Sequence, residues 1–263
     1  MQVITSKDND IIKHIKKLSE KKYREQNNCY IIEGIKLVEE AINENAKIDK
    51  IVICEETIKT PEISKELMNK ITKYDCIYVT EKIFKTLTQV INPQGILAVI
   101  KKREDNASIK YNEDIIVVLD DIQDPGNLGT ILRTVDSAGL TQLVVSKGTA
   151  DAYNPKVVRS SMGAIFRVQV IEKEDIKETI ENMKNNDYEV LITSLQTESS
   201  IYDIDYKRKV IVIGNEANGV SKDIQEIADK KVKIPMLGKT ESLNASVATG
   251  IILYEYVRQK ISK

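Results

Sequence analysis

The sequence predicts an α/β protein in two parts, a small α/β domain followed by a larger α/β domain built on a parallel sheet. Three observations predict it. Apolar runs of strand length alternate with helix-patterned stretches along the chain. In the second half the runs IIVVLD, LVVS, EVLITSL and KVIVIGN are apolar on both faces, as parallel strands covered on both sides must be. Between the halves, KKREDNASIKYNED, residues 101–114, is polar and without apolar period, and it reads as a linker. The boundary is set near residue 107, giving domains of 1–106 and 107–263. A chain of 263 residues is long enough for two ordinary domains.

In the first half, a helix pattern covers about 7–26, with Ile11, Ile12, Ile15 and Leu18 at helical spacing. CYIIEG is a strand and IKLVEEAINENA a helix, whose Ile35, Val38 and Ile42 share one face and read as core. KIVICEE, CIYVT and GILAVIKK follow as strands, separated by the helices EISKELMNKIT and EKIFKTLTQV. The second half adds the strands VQVIE and KVKIPM. Its helices are expected at about 128–138, 155–162, 174–186, 221–228 and 242–260. Ligands of such sheets sit beyond the carboxyl ends of the strands, so the loops there are where chemistry is sought.

Composition narrows the classes. With 41% hydrophobic and 30% charged residues, the chain reads as a soluble globular protein. No apolar run approaches the roughly 18 residues of a membrane span, and the first residues lack a secretory-type apolar core. Cys29, Cys54 and Cys76 are odd in number and far apart, which suits reduced thiols in the cytoplasm. The single histidine, His14, disfavours most His-based catalysis and most zinc sites, and no metal cluster is evident. Net charge is −1, with a small basic excess in residues 1–110 and a small acidic excess beyond. That permits a nucleic-acid partner without demanding one. The basic run KKLSEKKYR, residues 16–24, either tracks phosphates or is a solvated helix face. Tyr23, Tyr30 and Phe84 either stack on bases or pack.

Three loops carry the polar chemistry. In DDIQDPGNLGTILRTVDSAG, residues 120–139, a strand ends, Pro125-Gly126 turns the chain, and a helix begins near Asn127, a good N-cap. Its free N–H groups suit an anion, and the Arg133 guanidinium can grip a phosphate. A capped helix with a surface arginine explains the same spacing. In VIVIGNEANGVS, residues 210–221, Glu216 directly follows a buried strand. It is either a solvated turn residue or a carboxylate that pairs with Arg133 or orders the neighbouring loops. In IPMLGKTESLNASVATGIILYEYV, residues 234–257, Asn244, Ser246 and Thr249 crowd the start of an otherwise apolar helix. Capping by Ser242 does not account for all three. Ala245, Ala248 and Gly250 allow other segments to approach closely.

NLGTILR, IVIGNEANGV and IPMLGKTESLNASVATGIILYE resemble, in order and spacing, the three motifs of the SpoU (TrmH) family of the SPOUT superfamily. These are RNA ribose 2′-O-methyltransferases that use S-adenosylmethionine. NCYIIEGIKLVEEAI with the final GILAVIKK is similar to the RNA-substrate-binding domain, of ribosomal-protein type, often found ahead of it. The resemblance implies a C-terminal trefoil knot, which patterns alone never suggest because knots are rare. It implies a homodimer through the C-terminal domain, with RNA bound across the interface. It implies a cofactor held largely by backbone at Thr193, Ser194, Leu195, Gly214, Asn215, Glu216, Ile234, Met236, Leu243, Asn244 and Ala245. It also implies a reaction centre of Asn127, Arg133, Glu216, Asn244 and Ser246, needing no metal. The family arginine has been proposed as general base. Because arginine stays protonated, binding RNA phosphate and easing charge on the 2′-oxygen is the preferred role for Arg133, with base action open. One departure stands in the second motif, where Ala217 replaces a frequent glycine and puts only the local loop geometry in question.

The resemblance implies methylation of a ribose 2′-hydroxyl in large-subunit ribosomal RNA, because the transfer-RNA enzymes commonly lack this first domain. Transfer RNA as substrate, a non-catalytic RNA-binding assembly factor on the same fold, and a generic α/β enzyme for a small phosphorylated substrate using the helix N-terminus at Asn127 are the alternatives.

Overall fold

The computed structural model describes residues 3–59, 63–103 and 108–262. The boundary expected near residue 107 falls outside them. In chain order the strands are β1 (Val3–Ile4), β2 (Cys29–Glu33), β3 (Ile48–Cys54), β4 (Cys76–Val79), β5 (Ile96–Lys101), β6 (Ile115–Asp120), β7 (Gln142–Ser146), β8 (Gln169–Lys173), β9 (Glu189–Thr193), β10 (Lys209–Gly214) and β11 (Lys230–Val232). The helices are α1 (Asp10–Lys17), α2 (Lys21–Asn27), α3 (Ile35–Asn43), α4 (Lys65–Ile71), α5 (Glu81–Leu87), α6 (Pro125–Ser137), α7 (Pro155–Ser160), α8 (Ile176–Lys184), α9 (Lys222–Ile227) and α10 (Ala245–Ile261). The chain forms two compact units. The first comprises Met1–Glu104 and Tyr153–Phe166, the second Asp105–Ala152 and Arg167–Lys263.

The first unit holds a mixed five-stranded sheet of order β1-β4-β3-β5-β2, in which β5 runs antiparallel to both its neighbours. Its core gathers Ile12, Ile15 and Leu18 with Val52, Ile83, Phe84, Leu97 and Val99. The single helix expected over 7–26 is two helices. Asn9 caps α1 by accepting from the Ile11 N–H at 2.9 Å, and the chain breaks at Leu18–Glu20. The break is held by Arg24, which is buried and donates to the Leu18 and Ser19 carbonyls at 2.9 and 2.7 Å. The end of α1 has orphan carbonyls, and the guanidinium satisfies them. Residues 16–24 therefore present exposed lysines but not a continuous basic stripe. Tyr30 and Phe84 are buried, and Lys17 lies over the ring of half-buried Tyr23 at 5.3 Å. The helix expected at 155–162 forms as α7, and it packs on β2 of the first unit.

The second unit is a six-stranded sheet of order β11-β9-β10-β6-β7-β8, every neighbouring pair parallel. This is the parallel sheet that strands apolar on both faces required. All six residues of β6 are buried, and the core joins Ile116, Val118, Val190, Val210 and Val212 to Ile180 and Met183 of α8. The last strand is shorter than KVKIPM, ending at Val232. The C-terminal helix α10 packs against α6. Cys29, Cys54 and Cys76 are free thiols, and burial pushes each pKa up.

Candidate active site

The central strands of the second sheet set the site. Asp120, the last residue of β6, is directly paired with Gly214, the last of β10. Two of the three polar loops therefore leave the sheet side by side. The third precedes α10, which lies on α6, the helix that the first loop begins.

In the first loop, α6 starts two residues earlier than Asn127. Asp124 is the N-cap and accepts from the Asn127 N–H at 2.8 Å, while Pro125 fills the first turn, where its missing N–H costs nothing. This corrects the expectation that Asn127 caps the helix. It also releases the Asn127 side chain, which is buried. Its Nδ2 donates to Glu216 Oε1 at 2.8 Å and its Oδ1 accepts from Asn244 Nδ2 at 2.8 Å.

Glu216 does not pair with Arg133. Its carboxylate instead accepts from the N–H groups of Gln123 and Asp124, both at 3.2 Å, and from Asn127. Of the two functional expectations for Glu216, ordering of the neighbouring loops is the one realised. Partial burial pushes the carboxyl pKa up, but these hydrogen bonds outweigh it and hold the pKa below the ordinary value. Arg133 is exposed and makes no hydrogen bond or ion pair among the described residues.

In the second loop, Gly214 is a steric necessity. A Cβ added there would lie 2.1 Å from the Val220 nitrogen and 2.2 Å from the Gly219 carbonyl carbon. Asn215 shapes the turn that folds back onto it, accepting from the Ala217 and Asn218 N–H groups at 2.9 and 3.1 Å and donating to the Asp121 carbonyl at 2.8 Å. Ala217 is exposed and has no positive φ, so alanine fits without strain where a glycine is frequent.

In the third loop, the N-cap of α10 is Asn244, not Ser242. Its Oδ1 accepts from the N–H groups of Ser246 and Val247 at 3.0 and 3.4 Å and from the Ser246 hydroxyl at 2.6 Å. Thr249 is buried and returns its hydroxyl to the Ala245 carbonyl at 2.7 Å. The polar groups that crowd this helix start are thus all satisfied. A Cβ added at Gly250 would only touch Thr134 Cγ2 at 4.0 Å, so packing on α6 does not require glycine there.

The second and third loops, with the chain that leaves β9, surround a cavity of about 610 Å³, and the first loop borders it through Asn127. All eleven residues expected to hold a cofactor line it: Thr193, Ser194, Leu195, Gly214, Asn215, Glu216, Ile234, Met236, Leu243, Asn244 and Ala245. Of the expected reaction centre, Glu216 and Asn244 line it, while Asn127, Arg133 and Ser246 do not. Asn127 and Ser246 join it through the hydrogen-bonded chain Ser246–Asn244–Asn127–Glu216. The sequence reading missed Gln225 and Lys233, which also line the cavity. Gln225 sits on α9 and donates to the Val220 carbonyl at 2.8 Å, a contact that no spacing in the loop foretells. Among the described residues no cluster of His, Cys, Asp and Glu could hold a metal.

A parallel sheet whose strand ends carry three loops, hydrogen-bonded to one another beside one cavity, defines a ligand-binding α/β enzyme fold. The chain belongs to the SpoU rRNA Methylase family, which it matches over residues 114–254, and residues 9–98 match the MRM3-like substrate binding domain. It is 34% identical to the 23S rRNA (guanosine(2553)-2′-O)-methyltransferase RlmP of Bacillus subtilis, over 97% of this chain and 98% of that one. An AdoMet-bound rRNA methyltransferase from Sinorhizobium meliloti superposes with a TM-score of 0.84 at 30% identity, covering 99% of this chain and 98% of its own. The TrmH/SpoU tRNA modifying enzyme of A. aeolicus, 36% identical, covers only 57% of this chain and 77% of its own, with a TM-score of 0.51. The trefoil knot expected of the second half is implied by membership of the family.

Proposed function

We propose that the protein transfers the methyl group of S-adenosylmethionine to a ribose 2′-hydroxyl of RNA, with large-subunit ribosomal RNA as the substrate. One observation carries this reading. Eleven residues drawn from separate loops, expected from the family resemblance, line a single cavity beside the hydrogen-bonded Asn127, Glu216 and Asn244. The cavity fits the cofactor chemically. Ile213, Val220, Val232, Ile234, Met236 and Leu243 offer apolar walls for a nucleoside, and the turn at Gly214 offers close backbone. The ribosomal substrate is favoured over transfer RNA because the rRNA-named relatives match both halves, whereas the tRNA-modifying enzyme matches little more than one. No observation favours the assembly-factor reading. Residues 1–106 are assigned to RNA binding and 107–263 to methyl transfer, in keeping with the two family matches.

When bound, S-adenosylmethionine supplies an electrophilic methyl group on sulfonium. The chain's own residues must bring a weak nucleophile in line with it. Both hydrogen-bonding ends of the Asn127 amide are engaged by Glu216 and Asn244, which suits a residue that fixes the loops better than one that grips ribose. Glu216 anchors the first loop through two backbone N–H groups. Asn244 and Ser246 fix the start of α10 beside the cavity. Arg133, exposed and without a partner among the described residues, is assigned to the RNA phosphate near the reacting ribose, lowering the cost of charge on the 2′-oxygen. A homodimer through the C-terminal domain is part of the reading. The exposed Leu243, Val247 and Tyr254 near the start and along α10 support it.

The test is incubation of the protein with methyl-labelled S-adenosylmethionine and unmodified ribosomal RNA, beside Arg133→Ala. Label on a ribose 2′-oxygen, lost in the variant, is the expected result. Label on a base, or no label and no cofactor binding, would overturn the reading.

A further inference from the structure

The first unit contains a second cavity, of about 340 Å³, which the methyl-transfer reading leaves unused. Its walls come from β2, the turn of residues 44–47 after α3, the end of β5 with the two residues beyond it, and Tyr153, Ile165 and Phe166 on either side of α7. Tyr30 and Tyr153 meet there with ring centroids 4.8 Å apart, tilted by 43°. Four cations stand around it: Lys47, Lys101, Lys102 and Arg103. Lys101 is paired with Asp49 at 3.3 Å, and Arg103 donates to the Phe166 carbonyl. Lys102 lies over the Tyr153 ring at 4.6 Å, and neither it nor Lys47 forms an ion pair among the described residues. One carboxylate, Glu44, is also on the wall.

Tyr30 is the second, independent pointer. The residue is 3% exposed, yet its hydroxyl makes no hydrogen bond among the described residues. No fully buried side-chain polar atom among them lacks a partner, so this hydroxyl opens onto the cavity it lines. Burial pushes its pKa up, so it remains a proton donor. A donor that opens onto a cavity whose rim carries two cations without an ion pair among the described residues suits an anionic ligand with hydrogen-bond acceptors. The volume lies at the small end of ligand pockets, suited to one nucleotide.

We propose that this cavity takes a single unpaired nucleotide of the RNA substrate, its phosphate held by Lys47 and Lys102 and an acceptor on its sugar or base by the Tyr30 hydroxyl. The proposal rests on the reading of the chain as an RNA-modifying enzyme. Recognition of RNA favours unpaired nucleotides, because a helix hides the base edges. The site shares no lining residue with the cofactor cavity, so it would select the RNA without entering the chemistry.

The experiment uses the full chain with in-vitro-transcribed large-subunit ribosomal RNA. RNA affinity is measured over a range of salt, and S-adenosylmethionine affinity is measured separately by calorimetry. For the Lys47→Gln/Lys102→Gln pair, loss of the one neutralised phosphate on single-stranded RNA should lower the salt slope by about 0.7. RNA affinity should fall at least fivefold while cofactor affinity stays unchanged. Tyr30→Phe should weaken RNA binding by a smaller factor with the salt slope intact, and Lys65→Gln, outside the cavity, should change neither. Photo-crosslinking of 4-thiouridine-containing RNA should reach Tyr153 in the native protein and fall in the paired lysine variant. Native RNA affinity and salt slope in both cavity variants would overturn the proposal while leaving the methyltransferase reading intact. So would equal binding of a free mononucleotide in the presence and absence of saturating RNA. If the unaltered protein bound neither RNA nor cofactor, the underlying reading would fail instead.

Discussion

Replacing Glu216 with glutamine tests whether the carboxylate is the clamp that fixes the loops. In the native protein Oε1 accepts from Asn127 Nδ2 at 2.8 Å and from the Asp124 N–H at 3.2 Å, and Oε2 accepts from the Gln123 N–H at 3.2 Å. Every group facing the carboxylate is a donor. Glutamine must aim its own NH₂ at one of them, and the least costly choice sacrifices the Gln123 contact and retains Asn127. The substitution loses one charge-assisted bond, weakens two and opposes two donors. In a buried site that would cost about 1.5–3 kcal/mol. Glu216 is exposed to solvent, which screens the charge and lets water replace the lost partner, so about 1 kcal/mol is expected. For a unit of this size that corresponds to a fall in Tm of about 2–4 °C at pH 7. The pH dependence follows from the sign of the shift. The folded pKa of Glu216 lies below its ordinary 4.5, so its contribution is fully present above that value and is lost as pH falls through the lowered folded pKa. The gap in stability between native protein and Glu216→Gln should therefore close progressively below pH 4.5. Urea denaturation at intervals between pH 7 and pH 3, followed by tryptophan-independent circular dichroism, reads it directly. A gap that is absent at pH 7, or that stays constant down to pH 3, would refute the clamp.

Other outcomes follow from the same geometry. Arg133→Ala should lower methyl transfer by about 10²–10³-fold if it steadies charge at the reacting ribose. Its stability should stay within about 0.5 kcal/mol of native, since the side chain is exposed and has no partner among the described residues. Thermal melts beside the transfer assay separate the two effects. Gly214→Ala would force a Cβ to within 2.1 Å of the Val220 nitrogen, so the turn must open. Calorimetry should find S-adenosylmethionine binding weakened about tenfold or more, the equivalent of the roughly 1–3 kcal/mol of overpacking strain. Gly250→Ala places its Cβ 4.0 Å from Thr134 Cγ2 in an established helix, and should raise stability by roughly 0.5–1 kcal/mol in chemical denaturation. A marked loss of stability there would mean that α10 is closed off by something other than α6.

Much of this protein is written locally. The apolar strands of the second half, IIVVLD buried from end to end and KVIVIGN at all but its first and last residues, could only be central strands of a covered parallel sheet. The second and third motifs name most of the expected residues of the larger cavity because each follows a strand end, and paired strand ends such as Asp120 and Gly214 bring distant loops together. What local pattern cannot carry is the choice of partner. Asn127, Asp124 and Ser242 are all competent helix caps, and only the fold decides that Asp124 and Asn244 do the capping. That choice turns Asn127 toward Glu216, whose partner from sequence could equally have been Arg133. The break in the first helix likewise depends on Arg24 folding back onto carbonyls 5 and 6 residues away, a preference that helical periodicity does not record. The grouping of Tyr153–Phe166 with the first unit is of the same kind. Its sequence is an ordinary helix between two strands of the second half, and no composition shift marks it. The sequence by itself determined the elements, the parallel sheet and the loops that hold the chemistry, since these follow from periodicity and turn residues within a few positions. The tertiary structure alone decided which donor meets which acceptor across 89, 117 or more residues. Those pairings depend on where the sheet delivers each loop, and a hydrogen bond carries no trace in the sequence between its ends.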